Sequence, residues 1–452
     1  MNEPSRILVN LIFFYTCVEG LIINVWHPSK LPFLYKDLAI LALYVLVFLP
    51  SLAKLFAPSP IVKPLALPLL FFSGVVGFYL LLPGMGLLAG LLAVKQKLFY
   101  IPWISVGYLF VRSPDALRRF FLFLMVCGIG VAAFGIYLYF TGPQALVKLG
   151  AGYSAVLWTP RYDSTVQQYW RVPGTFTSSG QYGAYLLFHG LVTTTLLIDG
   201  SLSKSWKHIA AVSLIVTVLA MLASGTRAPL LLLSVSGALL VLLSRKFKGA
   251  IAWGMIGYVL VAFGFLLLGQ GVEDRLASIA TYEHVKRFQT TYFGQLFLPA
   301  LLENPAGSGL GVATIGARHV SGSYEIQLVE SYFGILALET GVLGVISFLW
   351  VALAIAALLL QARKDIDAMP RNSLCQALAI YVLLILVTLP VGTAIDHAPT
   401  NLYFWFSIGV LCKLADLQRE RGAVTGKGTK LTELSSRATY SAGRPSWMPQ
   451  FR

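Results

Sequence analysis

The sequence predicts an all-α polytopic membrane protein of about 12 transmembrane helices, with N- and C-termini on the cytoplasmic side. Three observations lead there. Of the 452 residues, 57% are hydrophobic. Only 12% are charged, against roughly 25% in soluble domains. The apolar residues also fall in runs close to the about 20 residues that cross a hydrocarbon core of about 30 Å. This composition excludes a soluble globular enzyme.

Apolar runs bounded by charges, Pro or Gly place spans at about 7–25, 36–56, 62–83, 97–112, 117–141, 179–198, 207–224, 227–244, 248–270, 331–361, 373–394 and 400–416. The first follows Arg6, contains Glu19 and has no small-residue cleavage site, so it reads as a retained span. Between the third and fourth, Gly84 to Leu92 is apolar but too short to span, and Lys95 and Lys97 follow. That stretch reads as a re-entrant or interfacial helix.

The 34 basic against 19 acidic residues give a formal charge of +15, which in a soluble protein would raise nucleic acid as a partner. Sorted by loop, 22 of the 34 fall on one side, including Arg6, Arg112, Arg118, Arg119 and the tail from Lys413. Basic residues in short loops mark the cytoplasmic face. The excess therefore records topology, and no nucleic-acid partner is expected.

Cys17, Cys127, Cys375 and Cys412 lie within or at the ends of apolar runs, which argues against disulfides and a thiol nucleophile. Six scattered histidines lack zinc-ligand spacing, so no metal and no other cofactor is expected. The transmembrane domain covers 1–416. Two long outer loops interrupt it, about 142–178 and 271–330, and loops of that length are functional or disordered. The basic segment 417–452 is expected to be a disordered cytoplasmic tail that its charge draws to membrane lipids.

Several arginines sit in polar outer segments. Arg171 opens RVPGTFTSSGQYGAY; it either snorkels to headgroups or serves a site. Arg227 lies in SGTRAP between two apolar runs with almost no loop, and a charge near membrane depth has a partner or a function. Arg275 and Arg287 follow the ninth run, and Arg318 follows the glycine-rich NPAGSGLGVATIG, a turn-forming stretch without a P-loop lysine. Guanidinium groups match phosphate oxygens bidentately and stay charged at any pH, so this set suits a phosphorylated ligand outside the membrane.

In VESYFGILALETGVLG, Glu330 and Glu339 are nine residues apart, half a turn out of phase on one helix. Glu330 stands where the long loop meets the tenth span, either salt-bridged to a loop arginine or catalytic. Glu339 lies inside the apolar run and is expected to pair internally.

In chain order, a Gly-Thr-Phe element after an outer arginine (Arg171 to Phe176), an S-G-T-R-A turn (Ser224 to Ala228), an N-P-x-G-x-G-x-G stretch (Asn304 to Gly311) and E-T-G-x-x-G (Glu339 to Gly344), nine positions after a polar residue, form a set. That set resembles the O-antigen ligase and O-antigen polymerase superfamily, with a core at about 170–355. The resemblance implies a GT-C-like fold in the bacterial inner membrane, with an active site facing the periplasm. It implies metal-independent transfer of a glycan from undecaprenyl diphosphate to a lipid-linked repeat or to lipid A core, and a chain-length regulator as a further partner. Ligases carry His or His-Asn where this chain has Glu330 and Ser331, which directs the expectation to a polymerase of O-antigen or exopolysaccharide repeats.

Residues and resemblance together assign Glu330 as general base for the acceptor hydroxyl and Arg171, Arg227, Arg275, Arg287 and Arg318 as diphosphate ligands. A lipid-linked oligosaccharide flippase or transporter is the alternative from another class. The unequal long loops and the absence of similar halves weigh against it.

Overall fold

The computed structural model describes residues 1–26, 31–48, 63–82, 86–150, 171–199, 201–243, 297–314, 329, 331–367 and 372–441. Among them all regular structure is helical. Six helical stretches are long and apolar enough to cross a membrane: Glu3–Val25, Lys63–Leu80, Leu87–Phe110, Pro114–Thr141, Lys204–Ser224 and Tyr332–Arg363. Leu70, Leu353, Leu360 and Val387 are each at least 60% exposed. Large apolar side chains facing outward on several helices are a liability in water and a match for lipid.

The helices are α1 (Glu3–Val25), α2 (Leu31–Phe48), α3 (Lys63–Leu80), α4 (Leu87–Leu98), α5 (Trp103–Phe110), α6 (Pro114–Thr141), α7 (Pro143–Leu149), α8 (Ser179–Ile198), α9 (Lys204–Ser224), α10 (Arg227–Leu243), α11 (Leu298–Glu303), α12 (Tyr332–Asp367), α13 (Asn372–Thr388) and α14 (Thr400–Ser441). Polar residues set the starts. The Asn2, Ser113, Ser178 and Ser203 side chains each accept from a backbone N–H of the first turn of α1, α6, α8 and α9. Pro114, whose missing N–H costs nothing there, opens α6.

The stretch expected as a re-entrant or interfacial helix followed by a span is instead one apolar run, Leu87–Phe110, broken at residues 99–102. Pro102 supplies no N–H to continue the ladder, and the Phe99 carbonyl accepts from the Tyr44 hydroxyl of α2 at 2.6 Å. The break thus falls inside the helical bundle. The last helix passes the expected end of its span at 416, and Arg419 Nε donates to Asp365 Oδ2 at 2.8 Å.

Helix α8 is the hub, with fifteen of its twenty residues buried against α6, α9, α10 and α13. Its His189 ring fills the space over Gly128 of α6, where any Cβ would overlap it, and Nδ1 lies 2.9 Å from Thr217 Oγ1 of α9. Gly107 of α5 and Gly409 of α14 let those two backbones touch, the small-residue packing common between helices in membranes. Phe13 knits α1 to this pair through Trp103, Tyr403 and Phe406.

The polar contacts define two ends. At one, Arg6 donates to Phe110 O (2.9 Å), Arg112 to Met1 O, and Arg118 to Ser201 Oγ (2.9 Å). These arginines belong to the set that sequence sorting put on one side. At the opposite end of α1, Leu21 N donates to Thr175 O at 2.8 Å.

Candidate functional site

Two of the sequence-predicted residues, Arg171 and Arg227, lie in described segments that meet on α8. Gly174 adopts φ 59°, open to glycine, and turns the chain so that Phe176 N reaches Pro173 O. A Cβ at Gly174 would come within 2.7 Å of the Tyr182 ring. In the S-G-T-R-A turn, Ser224 Oγ donates to Met221 O (2.7 Å), Gly225 takes φ 61°, and Thr226 packs onto Gly183. The segments that carry Arg171 and Arg227 therefore press on consecutive residues of α8. Both arginines are half-buried.

Thr175 anchors the first segment to α1. Its backbone O accepts from Leu21 N, and its hydroxyl donates to Cys17 O, so one threonine bridges two positions four apart on one helix. Gly20 permits the approach, because a Cβ there would overlap the Phe176 backbone. Beside it, the buried Lys36 of α2 pairs with Glu19 at 2.6 Å.

The glycine-rich stretch and E-T-G also meet, at a kink in α12. Gly341 sits at φ 59°, ψ −153°, which interrupts the helical ladder. The interrupted groups find partners in the loop: Ser308 N donates to Leu338 O (2.7 Å), Gly309 N to Glu339 O (3.1 Å), and Val342 N to Pro305 O (2.9 Å). Buried backbone groups must be paired, and here a preceding loop supplies the missing halves.

Glu339 pairs internally, as expected of it. Oε1 accepts from Gly311 N and Ala313 N (both 3.1 Å) and from Thr314 Oγ1 (2.7 Å), while Oε2 meets Lys97 Nζ. Four donors, two of them backbone amides, satisfy a carboxylate that is fully buried.

Lys97 is the partner that sequence reasoning missed. It belongs to a triplet at the foot of α4 in which each side chain holds a different element: Lys95 pairs with Asp37 of α2, Gln96 donates to Asp396 O at 3.0 Å, and Lys97 binds Glu339 of α12. Two lysines at the end of an apolar run were the available signal. Asp396 is buried near Lys97 and Glu339 in the 389–399 connection. Burial pushes its carboxyl up to about 7; Lys97 opposes the shift and Glu339 adds to it.

Glu330, Arg275, Arg287 and Arg318 lie outside the described residues. On either side of Glu330, Val329 and Ser331 are buried. Ser331 Oγ accepts from Gly334 N (3.0 Å), and Tyr332 N donates to Leu389 O (3.0 Å). The start of α12 is thus fastened to the 389–399 connection that holds Asp396. Compared with known proteins, the chain matches no family model and no curated protein.

Proposed function

We propose that this chain is an inverting, metal-independent glycosyltransferase that moves a glycan from undecaprenyl diphosphate to an acceptor hydroxyl, growing an O-antigen or exopolysaccharide repeat by repeat. One observation carries the reading. The four motifs that resemble the O-antigen ligase and polymerase superfamily pair in space, Arg171–Phe176 with Ser224–Ala228 on α8 and Asn304–Gly311 with Glu339–Gly344 at the kink. In this reading the chain has about twelve spans with cytoplasmic termini in a bacterial inner membrane, and the site faces the periplasm.

A glycosyl diphosphate has a good leaving group already, so catalysis consists mainly of charge neutralisation, orientation and proton removal. Glu330 takes the acceptor proton. The acceptor oxygen bonds to the anomeric carbon, the bond to the diphosphate oxygen breaks, and undecaprenyl diphosphate departs with the electron pair. Arg171 and Arg227, with Arg275, Arg287 and Arg318, hold the diphosphate charge.

Glu330 and Ser331, in place of the ligase histidine, favour the polymerase over transfer to lipid A core. A carrier or flippase is the second reading, favoured by the broken α4–α5 helix and the buried ion pair beside it. The glycan profile of a deletion strain tests all three. Lipid-linked material stopped at one repeat on the outer face supports the polymerase. Long lipid-linked polymer with bare core would identify a ligase, and single repeats retained on the inner face would identify a flippase.

A further inference from the structure

Three arginines from three segments converge at the Met1 end of the bundle: Arg6 in α1, Arg112 in the connection after α5, and Arg119 in α6. Arg6 feels the positive charge of both others, and Glu3 is the acid that acts on it there. Arg118 is occupied differently, by Ser201 and Asp115. Among the described residues, Arg6 and Arg112 each hold one backbone carbonyl, Arg6 donating to Phe110 O and Arg112 to Met1 O, and the buried Nε of Arg6, like that of Arg118, has no acceptor. Like charges held together repel one another, and an anion bound between their guanidinium groups relieves that repulsion.

The helices beneath this cluster show where such an anion comes from. On α1, Ile7, Leu11 and Phe14 are exposed in a stripe starting next to Arg6. On α6, Arg119 heads an exposed face continued by Val126, Tyr137 and Phe140, at intervals of seven, eleven and three. The two helices pack together. Apolar stripes running down from a cationic head match the layout of a phospholipid, acyl chains below and phosphate above.

We propose that Arg6, Arg112 and Arg119 form a binding site for the phosphate of an anionic phospholipid whose acyl chains lie along α1 and α6. The site is independent of the glycosyltransferase reading, since it stands at the end of α1 opposite Thr175. Basic pockets between membrane helices bind anionic headgroups by this means. Topology alone requires only that basic residues lie on one side; it does not require three from separate segments to meet.

The test is titration of dioleoylphosphatidylglycerol against the purified full-length chain in detergent, with bound lipid counted by native mass spectrometry. Arg112→Gln/Arg119→Gln changes two exposed side chains and should weaken binding about 25-fold, at about fivefold per arginine. Lys204→Gln/Lys207→Gln removes the same charge at the start of α9 and should change it less than about twofold, because the bound phosphate contacts neither lysine. Arg6→Lys, which keeps the charge and loses the guanidinium fork, should fall between wild type and the double variant. Equal losses in the two double variants, or no loss in the arginine pair, would overturn the site. A thermal stabilisation by inorganic phosphate in phosphatidylcholine micelles that phosphatidylglycerol does not reproduce would overturn the lipid and identify a soluble anion.

Discussion

Lys97 Nζ lies 2.5 Å from Glu339 Oε2, with both side chains fully buried and the two residues 242 positions apart in the chain. The pair joins a half-helix to a kinked one. Its partners are unequal, because Glu339 also terminates two backbone amides and a hydroxyl, whereas Lys97 serves mainly the carboxylate.

That asymmetry predicts the mutational pattern. Lys97→Met leaves a buried, uncompensated carboxylate and should cost about 3–5 kcal/mol. Adding Glu339→Gln should restore most of this, because the amide oxygen still accepts from Gly311, Ala313 and Thr314 while the charge is gone. A charge swap, Lys97→Glu/Glu339→Lys, should not rescue, since lysine cannot accept those amides. Thermal unfolding in detergent reads all three; rescue by the swap would reduce the cluster to a simple ion pair.

Asp396 predicts a pH dependence. The folded chain keeps a proton on this carboxyl up to about 7, whereas the unfolded chain releases it near 3.8. Stability from this group is therefore full below 3.8 and is lost as pH rises to about 7, by up to about 4 kcal/mol. Asp396→Asn should flatten the stability profile between those values. A wild-type profile that rises over this range, with the variant parallel to it, would contradict the assignment.

Gly20 predicts a local effect on the Arg171 segment. Alanine there would collide with Phe176 and displace the segment that Thr175 anchors. If Arg171 holds the diphosphate, transfer should fall about 100-fold, as for a misplaced positioning group. Gly74→Ala and Gly77→Ala in α3 meet nothing within 4 Å and should leave both stability and transfer intact. Normal transfer by a folded Gly20→Ala chain would separate Arg171 from the chemistry.

The proposed base and diphosphate ligands are tested directly. Glu330→Gln should lower transfer about 100-fold or more and shorten the polymer at normal protein level. Arg171→Ala and Arg227→Ala should each lower it by about 100-fold. Long chains from Glu330→Gln would remove that residue from the mechanism, and full activity in both arginine variants would remove the diphosphate assignment.

The helical membrane character was legible because hydrophobicity and run length are local properties of the chain. The internal pairing of Glu339 was legible too, since a carboxylate in an apolar run has few other options. Its partner was not. Lys97 read as the end of a short helix because nothing local shows that Glu339, far along the chain, will lie beside it. The glycine-rich stretch read as a turn former; its other role, completing the hydrogen bonds of a kinked helix, depends on where Gly341 breaks α12. Asp396 drew no notice in a short connection, because its burial comes from helices distant in sequence, among them α4 and α12, as well as from the adjoining α14.

The distance in sequence between Lys97 and Glu339 also sets an order in time. During synthesis Lys95 can meet Asp37 early, because α2 precedes it. Lys97 reaches the membrane long before its carboxylate exists, and an unpaired lysine at the centre of a span costs about 3 kcal/mol to insert. The Lys97–Glu339 pair can therefore close only after α12 has been made, long after the contact between Lys95 and Asp37 becomes possible.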